Sequence, residues 1–123
     1  SENITVRSIV GRYLEHGRVY AFANGGKFGS SKNTVFMSSA DLMPRNLLRR
    51  VEMFVKLENP TVRKQVINQI LTALLQDESN SWFLMPDGSY RHSETAPNSF
   101  SAHDYFIANP SLSGAGSLAK ETK

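Results

Sequence analysis

Asn59-Pro-Thr-Val-Arg-Lys-Gln-Val-Ile-Asn-Gln-Ile-Leu-Thr-Ala-Leu74 is the stretch that dictates what the rest of the chain must provide. Asn59 can accept from the orphan N–H groups of a helix start, and Pro60 suits the first helical position because its missing N–H would be unpaired there anyway. Val62, Val66, Ile70 and Leu74, with Ile67 and Leu71 beside them, then form one apolar stripe at helical spacing. Burying six such side chains is worth on the order of 10–15 kcal/mol before conformational entropy, an upper bound. A stripe of that size needs a sheet to lie on. The fold class is therefore read as α/β (α+β), a mixed β-sheet packed by one long amphipathic helix.

The strands are read on either side of that helix. Residues 4–10 are rich in β-branched side chains, and residues 18–22 form a second apolar run. Asn24-Gly25-Gly26 supplies positive-φ turn positions, which the polar residues 27–33 lengthen into a loop before residues 34–37 return as a third strand. A Ser/Asp/Pro-containing loop over residues 38–46 leads to a fourth, alternating strand over 51–57. Residues 82–85 and 89–91 flank Asp87-Gly88 as a last hairpin. Residues 1–107 are read as one domain and 108–123 as a disordered tail rich in Asn, Pro, Ser and Gly.

Composition narrows the function classes. With 123 residues, 40% of them hydrophobic and 20% charged, the chain suits one core burying roughly 65% of its unfolded surface. No apolar run reaches about 18 residues, so no transmembrane segment is read, and no basic-then-apolar leader opens the chain. The absence of cysteine excludes disulfides and thiolate metal sites, which fits a reducing cytosol. Charge is unevenly spread: residues 1–56 carry nine Lys/Arg against four Asp/Glu, a balance of +5, whereas residues 57–123 carry five against seven, or −2. The front half thus prefers anions such as phosphates.

Three pieces of that half assemble a candidate site: His16 with Arg18, the segment Ser38-Ser39-Ala40-Asp41, and the run from Pro44 to Val51. Pairing of the second and third strands through the glycine turn brings His16 near Ser38 and Asp41. Imidazole is titratable near neutral pH and can be nucleophile or proton donor, while guanidinium groups disfavour the imidazolium and hold phosphoryl oxygens in bidentate fashion. The blander reading keeps His16 as a surface residue, Arg49-Arg50 as a solvated pair, and Ser39 and Asp41 as loop organisers. No metal cluster is read, and His92 and His103, in polar, loop-like surroundings at no ligand spacing, are given no role.

Three phrases carry a family resemblance: VRSIVGRYLEHGRVYAFANGG at residues 6–26, SSADLMPRNLLRRVE at 38–52, and PDGSYR at 86–91. They resemble the C-terminal end of bacterial polyphosphate kinases, long enzymes that move the terminal phosphate of ATP onto polyphosphate. The resemblance covers residues 1–92 and implies a phospholipase D-like half-domain whose active-site histidine, in the LEH-x-R phrase, is His16. It further implies that the companion histidine carrying the covalent phosphate lies in a preceding domain, that Arg50 touches nucleotide phosphates, and that Arg18 assists. The expected function is reversible transfer of the ATP γ-phosphate to polyphosphate through a phosphohistidine, with Mg²⁺ accompanying the nucleotide and the fragment inactive alone. Expected partners are ATP/ADP, polyphosphate, the preceding domains and further copies in a homo-oligomer, but no nucleic acid; the location is cytoplasmic, with peripheral association at the inner membrane allowed. Here SADWM reads SADLM, with Leu42 for the aromatic residue, and Leu48 replaces an acidic residue. Relative to phospholipase D, the histidine-x-lysine motif has become His16-Gly17-Arg18 and its later aspartate is not evident. The rival readings are a polyanion-binding module without chemistry and a phospholipase D-like phosphodiesterase.

Overall fold

A computed structural model describes residues 1–93 and 96–110; residues 111–123, most of the segment read as a tail, lie outside the described residues. In chain order the strands are β1 (Arg7–Ile9), β2 (Val19–Phe22), β3 (Thr34–Ser38), β4 (Phe54–Lys56), β5 (Ser81–Leu84) and β6 (Tyr90–His92). The helices are α1 (Pro44–Arg49), α2 (Pro60–Gln65), α3 (Thr72–Gln76) and α4 (Ala102–Ala108), with a π-helical run over Val66–Leu71. The chain divides into two compact units, one of Glu15–Leu71 and one of Ser1–Leu14 with Thr72–Lys123.

In the unit Glu15–Leu71, β2, β3 and β4 form an antiparallel sheet in that order. The turn residues behave as their chemistry requires: Asn24 and Gly25 take φ of 52° and 74°, where a β-branched side chain would be strained. One face of this sheet packs on the helix. Val35, Val66 and Ile67 are buried together, with Val19, Leu57, Ile70 and Leu71 against them. Asn59 caps α2 as read, its side-chain oxygen accepting from the N–H groups of Thr61 and Val62.

The structure corrects the rest of the helix reading. Residues 66–71 adopt the wider i→i+5 π geometry; Val66, Ile67, Ile70 and Leu71 of the stripe pack in the core as read, while Val62, before the π run, is 40% exposed and Gln69 is buried beside them. Where a loop was expected, Pro44 opens the short helix α1, and the fourth strand shrinks to Phe54–Lys56, leaving Val51 fully exposed.

The second unit replaces the expected single mixed sheet with a second antiparallel one, ordered β1-β5-β6. Its β5–β6 hairpin turns at Gly88, φ 86°, and Asp87 accepts from both the N–H and the hydroxyl of Ser89, which holds its carboxyl below the ordinary carboxylate range. Helix α4 was missed; Ser101 caps it by accepting from Asp104 N–H. It reaches Ala108, the first residue read as tail, and buries Ala102 against Ala73 together with Ile9, Leu74 and Phe100. His103 is buried on α4, not loop-like, with its ring 5.9 Å from that of Tyr13.

Asp77 holds this unit together. Buried just after α3, it accepts from Ser81 Oγ at 2.9 Å and Asn80 N–H at 3.0 Å through Oδ1, and from Ala102 N–H at 2.8 Å through Oδ2. Arg7 of β1 donates to the carbonyls of Leu74, Leu75 and Asp77, meeting orphan acceptors where α3 ends. Ser81 Oγ also donates to the Asp77 carbonyl at 2.7 Å, so removing the carboxylate strands the N–H groups of Asn80 and Ala102, at about 1–3 kcal/mol each before relaxation. Asp77→Ala is therefore expected to lower unfolding free energy by about 3 kcal/mol or more in a urea titration; a loss under about 1 kcal/mol would show that water replaces the carboxylate.

Candidate active site

The hairpin register brings the predicted pieces to one end of the β2-β3-β4 sheet. Val19 pairs with Met37 and Tyr20 with Phe36, and Ser38 N–H then donates to Arg18 carbonyl at 3.0 Å. Arg18 is anchored twice beyond that: its Nε donates to Asp41 Oδ1 at 3.0 Å, and its Nη1 donates to the carbonyl of His16. The ion pair is partly shielded. Hydrogen bonding from Arg18, then its charge, with a smaller contribution from Arg45, holds the Asp41 carboxyl below the ordinary range, and the same bond raises the Arg18 guanidinium. Among the described residues nothing bonds Nη2 of Arg18 or the imidazole of exposed His16, so both remain available to a ligand.

A second set of bonds connects Arg50 to the same loop. The Asp41 carbonyl accepts from Met43 N–H at 2.8 Å and from Nδ2 of buried Asn46 at 3.2 Å, which ties α1 to the loop end. Ser39 accepts from Met53 N–H at 2.9 Å and donates to Glu52 at 2.6 Å. Glu52 in turn lies 4.0 Å from Arg50, whose side chain is 66% exposed just past the end of α1. The His16 backbone, through Arg18, and the Arg50 side chain, through Glu52, are thus each linked to residues 38–41, at Asp41 and at Ser39, and both residues are exposed.

Sequence reasoning missed Glu52 and Asn46. Glu52 was legible only as part of a strand, and Asn46 only as a loop residue; their roles come from helix α1, which folds the loop back on itself. Among the described residues no cluster of three or more His, Asp or Glu side chains is placed to hold a metal, and no helix is long and apolar enough to cross a membrane.

Residues 1–103 match the model of the family described as polyphosphate kinase C-terminal domain 2. The chain belongs to that family. Its relatives include the polyphosphate kinase of Erythrobacter litoralis, 56% identical over 94% of this chain, and that of Paraburkholderia phytofirmans, 45% identical over 83%. Among solved structures, the crystal structure of polyphosphate kinase from Porphyromonas gingivalis matches 90% of this chain with a TM-score of 0.74 and 32% identity. This polyphosphate kinase domain spans 16% of the length of the Erythrobacter relative, 14% of the Paraburkholderia one and 17% of the solved chain.

In this polyphosphate kinase domain, the Arg18–Asp41 pair makes a pH statement. Because the folded carboxyl of Asp41 titrates below its unfolded value, its contribution is present above the ordinary aspartate range and is lost as pH falls through the depressed value. Comparing thermal melts of the wild type and Asp41→Asn across pH should give a gap that is constant from about pH 6 to 8 and closes under strong acid. A gap that widens on acidification would contradict the pairing.

Proposed function

We propose that this chain supplies one half of a phosphoryl-transfer site in a polyphosphate kinase, and that it catalyses no turnover alone. The whole enzyme reversibly moves the γ-phosphate of ATP to polyphosphate. The observation that carries the reading is Arg18, fixed by Asp41 and the His16 carbonyl with Nη2 free, two residues along the chain from exposed His16. Fixed positive charge next to an accessible titratable nitrogen suits a transferring phosphoryl group, whose catalysis rests on positioning and electrostatics.

In the intact enzyme a companion histidine from a preceding domain attacks the γ-phosphorus in line; the N–P bond forms as the bond to ADP breaks. The terminal oxygen of polyphosphate then takes the phosphoryl group and frees that histidine. His16 serves as acid/base partner or as a second acceptor, while Arg50 and Arg18 neutralise developing charge. Asp41 and Glu52 are already engaged by Arg18 and Ser39, which supports a Mg²⁺ ion that arrives with the nucleotide as part of the substrate. The preceding domains, and further copies of the enzyme, are the protein partners of this reading.

Exposed Arg45, Arg49 and Arg50, in and beside α1, favour one second reading, a polyanion grip without chemistry. Its mark is salt-steep polyphosphate binding, with ATP-dependent polyphosphate formation unchanged by His16→Gln.

For the full-length enzyme, His16→Gln is expected to reduce ATP-dependent polyphosphate formation by about 10²–10⁴-fold, the usual contribution of a general acid or base. Retention of more than about a tenth of wild-type activity would remove the catalytic role. Arg50→Ala should raise the KM for ATP, lower kcat, or both; wild-type values of each would remove Arg50 from the nucleotide site.

A further inference from the structure

We infer that the open face of the β2-β3-β4 sheet is a docking face, covered in the full-length enzyme by an apolar, acid-bearing segment of the chain preceding this domain. The inference rests on the reading above that such preceding domains exist. Strand register defines the face. Tyr20 pairs with Phe36 and Phe36 with Lys56, Phe22 pairs with Thr34, and Ser38 with Phe54, so these side chains point the same way, opposite to Val19 and Val35 on the helix side.

Four of those positions are aromatic and their rings touch. Phe36 stacks on Phe54 at 4.9 Å, Tyr20 lies 5.3 Å from Phe54, and Phe22 meets Phe36 edge-on at 6.0 Å. Phe22 and Phe54 nevertheless remain 52% and 49% exposed. An antiparallel sheet with one wet face alternates apolar-in with polar-out; here four of the seven outward positions are rings in mutual contact, and a contiguous apolar patch of this kind marks an interaction surface.

The occupant follows from length and charge. The chain spans 16% of its Erythrobacter relative and matches a C-terminal domain, so the larger part of such an enzyme is upstream and available to cover the face. Lys56 sits mid-face opposite Phe36, and Arg18 continues the face two residues before Tyr20. A second copy docked symmetrically by this face would bring like charges together, which is unfavourable. A segment presenting aliphatic side chains with an Asp or Glu against Lys56 matches both features.

Hydroxyl-radical footprinting of the full-length enzyme without ligand, beside this chain alone, tests the inference. We expect Phe22 and Phe54 to be modified in the isolated chain and to lose that modification in the full-length protein. Phe28, 51% exposed and in the loop between β2 and β3, reacts in both and serves as the internal reference. Phe22 and Phe54 that react equally in the full-length enzyme overturn the proposal. In that case, protection of the isolated chain by ATP assigns the face to a nucleobase, and protection that grows with chain concentration assigns it to a second copy. A full-length Lys56→Glu variant should regain modification at Phe54; unchanged protection would remove the acidic partner. Ring protection does not depend on turnover, so it can fail while the His16→Gln result stands, and the reverse.

Discussion

The guanidinium of Arg18 is the constraint on which the site depends. It fixes the chain entering β2, through the His16 carbonyl, to the loop after β3, through Asp41. A lysine could not do this, because its single nitrogen lacks the planar fork that reaches two acceptors in fixed directions and keeps a third donor free. The carboxylate of Asp41 neutralises much of the cost of fixing that charge. Electrostatically, then, the site is less basic than its residue count implies, and the positive potential shifts toward Arg45 and Arg49 of α1.

The loop over residues 38–41 is shaped by its own polar groups. Ser38 Oγ accepts from Ala40 N–H at 3.1 Å and lies 2.9 Å from its carbonyl, with Ala40 itself buried. Ser39 and Asp41 therefore project to opposite partners, Glu52 and Arg18. Such preorganisation matters for phosphoryl transfer, in which little covalent work falls to the protein beyond holding charge in place.

The parts of this fold legible in the sequence were those governed by local rules. The turn chemistry of Asn24-Gly25-Gly26 between two apolar runs marked a hairpin, and its pairing put His16 and Arg18 near Ser38 and Asp41. The Asn59-Pro60 signal located a helix start because capping involves only neighbours. The π-helical run escaped, since an apolar stripe at four-residue spacing looks the same whether hydrogen bonds skip four residues or five. Helices α1 and α4 are too short to produce a periodic signal. Two sheets were read as one because the pairing of Arg7 with Phe83 is non-local and leaves no trace in either strand. Arg50 lay in the basic run read as part of the site, but only the resemblance singled it out, and nothing in its spacing names Glu52 as its neighbour.

The division of the chain has a kinetic consequence. Residues 15–71 are continuous, whereas their companion unit is assembled from both sides of that segment, and its bond from Arg7 to Leu74 closes a loop across 67 residues. Closing so long a loop carries an entropic cost that rises with the logarithm of its length, but folding the intervening segment first brings its ends nearer and shortens the effective loop. The segment bearing His16 and Arg50 is thus placed to order early, with the split unit zipping up around Asp77 afterwards.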